Sequence, residues 1–252
     1  MVLGVARTAV ALVVVAKTGW GITIPLSPVA ARLSTGISNS TGNLLIAGAN
    51  DDSWVFFNGT TPLTAYVVRS DRAPIAGGTW ASNNSNSQWI SPTVQNYSGQ
   101  GSGCCELPTS PLTNYTAALT FNIPAMTNPP NLSQWWLVMS GLVWGDDRVT
   151  GFALFPGATP SGTPVYSYSY NAPLPSPTTS QSFSLQTWVN ANEQYTLAFY
   201  LENTNNTVTG FRLQMTEAYV TPEPGAWALM LSAGAGLAYA SWRRGRAKKP
   251  EA

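Results

Sequence analysis

Histidine is absent from the 252 residues, and with it goes the side chain that most often serves as general base, proton shuttle or transition-metal ligand. Ser-His-Asp hydrolysis and zinc hydrolysis are excluded on that inventory. Charge is scarce too: Asp, Glu, Lys and Arg make up 9% of the chain, against roughly a quarter in an average soluble protein. Lysine occurs only near the ends, as Lys17, Lys248 and Lys249. Between positions 33 and 221 four arginines (Arg69, Arg72, Arg148, Arg212) stand against nine carboxylates, a balance of −5. No basic stripe is left to neutralise phosphates, so nucleic acid is not expected as a partner. The only two cysteines, Cys104 and Cys105, are neighbours and cannot staple distant parts of the chain. Two unpaired thiols, a strained vicinal ring and a cross-link between two molecules all remain open.

The ends carry the sharpest signals. Pro222-Glu223-Pro224 precedes Gly225, an uncharged apolar run over 226–242, and a basic tail of Arg243, Arg244, Arg246, Lys248 and Lys249. As a helix the run would be roughly 25 Å long, near the lower limit for crossing a bilayer. Trp227, Tyr239 and Trp242 lie near its ends, where amphipathic rings favour the lipid–water interface, and the one-sided basic cluster is expected to stay cytoplasmic. At the other terminus Arg7 is followed by the apolar stretch 8–16, an export signal with possible cuts after Ala16 or after Ala31.

This tripartite C-terminus closely resembles the PEP-CTERM sorting signal of Gram-negative bacteria. The resemblance implies recognition by an exosortase, a membrane-embedded cysteine transpeptidase that cuts near the motif. It also implies a transient transmembrane helix at 226–242 and delivery from the inner membrane to the cell envelope, surface or exopolysaccharide matrix. The chain then divides into a signal region at 1–31, one extracytoplasmic domain at 32–220 and a sorting signal at 221–252.

The middle shows no long helical periodicity and no repeat. Short runs rich in Val, Tyr, Trp, Phe and Thr, bounded by Gly, Pro and Asn, predict strands over 54–57, 64–69, 115–122, 134–143, 149–155, 165–170, 195–202 and 208–219. Proline-rich breaks at 124–130 and 173–177 and the Gly/Ser-rich stretch 95–112 are expected loops. About eight strands predict an all-β domain, a two-sheet β-sandwich of jelly-roll type. Landmarks along 32–220 are similar to a β-sandwich found in many PEP-CTERM proteins and related to galactose-binding-like folds. They include Ser34-Thr35-Gly36, Gly42-Asn43-Leu44-Leu45, Asp52-Ser53-Trp54, Ala65-Tyr66-Val67-Val68, Trp80, Gln88-Trp89-Ile90-Ser91-Pro92, Tyr115 to Phe121, Trp144-Gly145-Asp146-Asp147 and Thr209-Gly210-Phe211-Arg212.

Two constellations point to chemistry. Asp51-Asp52 and Asp146-Asp147 could ligate Ca²⁺, a hard cation that takes carboxylate and carbonyl oxygens in flexible geometry, though aspartates also favour turns in their own right. No other cofactor is implied. Seven tryptophans sit among many amide and hydroxyl side chains, the makings of a carbohydrate surface. Neighbours on a strand face opposite ways, so of Trp135 and Trp136 one is expected in the core and one outside, near Asp146 and Arg148, in contact with a glycan such as an exopolysaccharide. A secreted glycoside-active enzyme using Glu193, Glu202 or Glu217 is the alternative, although their spacing does not predict a catalytic pair.

Overall fold

Alternation builds this protein. In β5 (Asn114–Asn122) Tyr115, Ala117, Leu119 and Phe121 point inward, and Asn114, Thr116, Thr120 and Asn122 point outward. In β10 (Gln194–Glu202) the inward set is Tyr195, Leu197, Phe199 and Leu201. Two strands with one apolar and one small polar face must bury the first and can leave the second in water.

The computed structural model describes residues 24–25, 30–71, 74–92, 114–123, 134–172, 174–203 and 209–221. The remaining strands of the unit Ile24–Val220 are β1 (Ile24–Pro25), β2 (Asn50–Asn58), β3 (Thr61–Val67), β4 (Ile90–Ser91), β6 (Gln134–Asp146), β7 (Arg148–Pro156), β8 (Tyr166–Ser169), β9 (Gln181–Asn190) and β11 (Gly210–Thr221). The Cys104-Cys105 pair, the 95–112 and 124–130 loops, Pro222-Glu223-Pro224, the 226–242 segment and the basic tail lie outside the described residues, as does most of the signal region. Among the described residues no helix is long and apolar enough to cross a membrane.

The all-β expectation holds, and the two-sheet expectation needs correction. A single hydrogen-bonded path of antiparallel strands runs β8-β7-β10-β5-β2-β3-β4-β11-β6-β9, with β1 on the side of β11. The link is the two-residue β4: Ile90 pairs with Val67 of β3 on one side and Phe211 of β11 on the other. The sheet therefore curls into a near-barrel whose two halves still face each other. A long layer (β3-β2-β5-β10-β7-β8) packs on a short one (β11-β6-β9). Sequence reasoning found eight of these eleven strands and missed the two-residue β1 and β4 and also β9, whose inward Phe183, Leu185 and Val189 are diluted by Ser, Gln and Thr.

Aromatic rings join the layers. Phe199 of β10 lies 5.2 Å from Phe211 of β11, 5.4 Å from Phe183 of β9, 5.5 Å from Phe152 of β7 and 6.3 Å from Trp54 of β2, centroid to centroid. A second, smaller core lies on the outer side of the short layer. There the excursion 68–89 between β3 and β4 folds Val68, Ile75, Trp80 and Trp89 over Trp144 of β6. Gly210 of β11 makes this possible, because a Cβ there would run into the Trp80 ring.

Phe199 touches both layers, so removing its ring loosens both. Phe199→Ala is expected to cost about 3–5 kcal/mol, read as a lower urea midpoint with an unchanged slope.

Candidate functional site

The outward face of the long layer combines the exposed Asn114, Thr120 and Asn122 with the buried Ala118, Ala153 and Ala198. Register places Val55, Ala118, Ala198, Ala153 and Ser167 in one row across five strands. Phe57, Thr116, Tyr200, Gly151 and Ser169 form the adjacent row. The small side chains leave two clefts end to end along β5. One, ≈ 520 Å³, is bordered by Asn39, Asp52, Ser53, Val55, Phe57, Ala118, Thr120, Asn122 and Ala158. The other, ≈ 560 Å³, is bordered by Gly59, Asn114, Thr116, Thr150, Tyr200 and Glu202. Nine residues of β5 give this face a length of roughly 30 Å. Its polar atoms are partly fixed: Thr196 donates to the Gly157 carbonyl at 2.8 Å and shares a 3.1 Å hydroxyl contact with Thr120. Tyr200 stands half-exposed in the middle.

Arg148 lies at one end of this face. Its Nε and Nη2 donate to the two Glu202 oxygens at 2.9 and 2.7 Å, a two-pronged ion pair. The guanidinium holds the Glu202 carboxyl below its ordinary range. Glu193 stands at the other end of β10, accepting from Asn190 Nδ2 at 2.9 Å, and Glu217 of β11 accepts from Ser140. Glu193 and Glu202 are thus separated by nine steps of extended chain, roughly 30 Å, where glycosidases need about 5–9.5 Å. The cleft carboxylates Asp52 and Glu202 are also far apart: Trp54 faces Leu119 and Glu202 faces Asn114, at opposite ends of β5.

The tryptophan expectation is corrected at two points. Trp135 is the inward one of its pair, with no exposed surface, and is not available to a ligand. Trp136 is outward, but it packs edge-on against Trp188 of β9, directly opposite it, at 5.0 Å. Ten residues of extended β6, about 33 Å, separate Trp136 from Asp146 at the other end of the strand. Trp136 and Arg148 therefore do not form one site.

The aspartate pairs also remain apart, on the start of β2 and the β6–β7 turn, and among the described residues no group of three or more His, Cys, Asp or Glu gathers as a metal site. Asp51 is spent on structure. Its Oδ2 accepts from the Gly36 amide at 2.6 Å and its Oδ1 from the Ser53 and Trp54 amides at 3.0 and 3.2 Å. Those three amides tie both Asp51 oxygens to the main chain around the β2 entry. The neighbouring Ser34 and Thr35 hydroxyls accept from the Met215 and Leu213 amides, so Ser34-Thr35-Gly36 stitches the β2 entry to β11. Asp52 is exposed and accepts from the Asn39 amide. Asp146 is buried beside Trp80, whose indole bonds to it, while Asp147 adds repulsion.

Sequence reasoning missed Tyr200, Thr116, Thr120 and Asn122. The signal was present, because both β5 and β10 alternate strictly.

No family model matches the chain, and no curated protein does. Among solved structures, the chain is similar to one described as "CBM4 structure and function", at 10% identity and TM-score 0.30, over 68% of this chain and 96% of that one. It is also similar to the K3 cleaved adhesin domain of Lys-gingipain from Porphyromonas gingivalis w83, at 9% identity and TM-score 0.33, over 71% and 99%. Likeness at this level carries no conclusion about ligand or activity.

Burial pushes Asp146 up to about 7 and Asp51 up to about 6, from 3.8. A carboxyl that holds its proton more tightly when folded favours the folded state below its unfolded pKa, and that advantage is lost as pH rises through its folded pKa. Denaturation free energy is therefore expected to fall between pH 4 and pH 7. Asp146→Asn, which keeps an acceptor for Trp80, should flatten most of that fall and gain on the order of a few kcal/mol at pH 7, since each pKa unit is worth about 1.4 kcal/mol.

Proposed function

We propose that this chain is an exported, non-enzymatic surface protein of the cell envelope or exopolysaccharide matrix, serving as a structural element or a weak carbohydrate binder. One observation carries the binding part: the outward face along β5 and β10, with Asn114, Thr116, Thr120 and Asn122 lining clefts beside the half-exposed Tyr200. A long, shallow floor of hydroxyls and amides, with Asp52 and Glu202 toward its two ends and the half-exposed Tyr200 ring between, suits an extended neutral polysaccharide. The ring stacks on a sugar face while the hydroxyls and amides bond to the sugar hydroxyls. A jelly-roll or galactose-binding-like scaffold agrees with this use of a sheet face. The wide separation of the carboxylates in the groove supports the non-enzymatic part.

Export and sorting are supported by sequence order. Pro222-Glu223-Pro224, the apolar 226–242 run and Arg243 onward form a three-part signal that an exosortase would read at the inner membrane before release. The two parts of the proposal are separable, because one concerns a groove and the other a tail.

Affinity electrophoresis in gels containing the producer's exopolysaccharide tests the groove. Retardation of the wild type should weaken about tenfold in Tyr200→Ala, equivalent to about 1.4 kcal/mol. No retardation in any polysaccharide would remove the glycan reading. Mass spectrometry of the mature protein from its native host tests the tail: a C-terminus near Pro222 is expected, and a mature chain still carrying 226–252 would sink the sorting reading.

A further inference from the structure

Two carboxylates border the clefts along β5, and they are not alike. Glu202 is already paired, because its two oxygens accept from Arg148 at 2.9 and 2.7 Å. Asp52 has no such partner. Its Oδ1 accepts from the Asn39 amide at 3.0 Å and from the Ser53 hydroxyl at 3.3 Å, which hold the carboxylate in place. Among the described residues its Oδ2 accepts no hydrogen bond, and no arginine or lysine comes within ion-pair distance of it. Arg32 turns its Nη1 to the Asn39 carbonyl at 3.3 Å and does not border the cleft.

Around Asp52 the ≈ 520 Å³ cleft is edged by Asn39, Ser53, Thr120 and Asn122, which offer amide and hydroxyl oxygens. An ammonium carries one charge and three donors. The carboxylate can take the charge and one donor, and the neighbouring oxygens the others. A divalent cation gathers more oxygen ligands, several of them anionic, and among the described residues no three acidic groups come together. The surroundings favour a cation as well. Positions 33–221 hold four arginines, no lysine and nine carboxylates, and of those arginines Arg69 pairs with Asp71, Arg148 with Glu202, and Arg212 is buried. A basic sugar entering this cleft finds a carboxylate, while an acidic one finds like charge.

We propose that the polysaccharide of this groove is an amino sugar polymer in which some units carry a free amine, and that Asp52 is the residue that selects it. This rests on the glycan reading of the groove and refines it. The hydroxyl and amide floor beside Tyr200 takes the uncharged units, and Asp52 seats a unit whose amine is protonated. Uronic acid polymers are turned away, since their carboxylates meet another carboxylate; discrimination by repulsion accompanies discrimination by attraction.

Affinity electrophoresis of the full chain in one mild detergent tests it, in gels cast with a soluble, partly deacetylated chitin, a neutral cellulose ether or polygalacturonate. The wild type should be retarded most by the first, less by the second and least by the third. Asp52→Asn keeps the oxygen that accepts from Asn39 and Ser53. Its retardation should fall about threefold in the first gel and stay unchanged in the second, and added salt should erase the wild type's preference. Tyr200→Ala should weaken retardation in both gels, which places both polymers in one groove. Glu217→Gln removes the same charge from β11, outside the groove, and should behave as the wild type. Retardation by the cellulose ether with no preference for the deacetylated chitin overturns the amino sugar proposal and leaves the groove reading standing. So does an Asp52→Asn variant that matches the wild type in the first gel, or an equal loss in Glu217→Gln, the sign of attraction by net charge alone. No retardation in any gel removes the groove reading and this proposal with it.

Discussion

Packing around the Phe199 ring is the constraint on which the rest of this fold depends. A curled sheet closes only if its two halves hold each other, and here they do so through rings on β2, β7, β9, β10 and β11 that converge on one side chain. Charge contributes little: in a chain with 9% charged residues, the Arg148–Glu202 pair is exposed at the rim, where solvent screens it and such pairs add little to stability. The fold is held by apolar contact and by main-chain ladders.

Because neighbours on a strand face opposite ways, the aromatics buried on one face of β5 and β10 leave Asn114, Thr116, Thr120, Asn122 and Tyr200 on the other. The groove on the long layer is thus a consequence of the core. The short layer solves its outer face differently, by covering half of it. Beneath the 68–89 excursion Arg212 stacks on Trp144 at 4.4 Å, donates to Ser87 Oγ at 2.8 Å and to the Ser82 carbonyl, and has almost no exposed surface. Burial lowers its pKa to about 10, so it remains a cation near neutral pH, held by a ring face and two oxygens. A charge in such a place fixes the excursion's position at some cost in stability.

The sequence by itself determined the all-β class, most of the strands, the absence of histidine chemistry and the tripartite tail. Each of these is local, readable from period, inventory or order. Alternation in β5 and β10 also fixed which side chains share a face, including the polar set that lines the groove. What the sequence could not decide was which faces meet. Trp135 and Trp136 have the same neighbours in the chain, and only the curl of the sheet sends one into the core and the other against Trp188. Asp51 and Asp146 look alike as halves of acidic pairs, yet one collects two amides from its own strand and a third from the distant Gly36 turn, and the other lies against Trp80. The two-residue β4, joining expected separate sheets into one path, has too few residues to show a period. Contacts between strands far apart in the chain carry no local signature, and that is why the site belongs to the tertiary structure and the elements to the sequence.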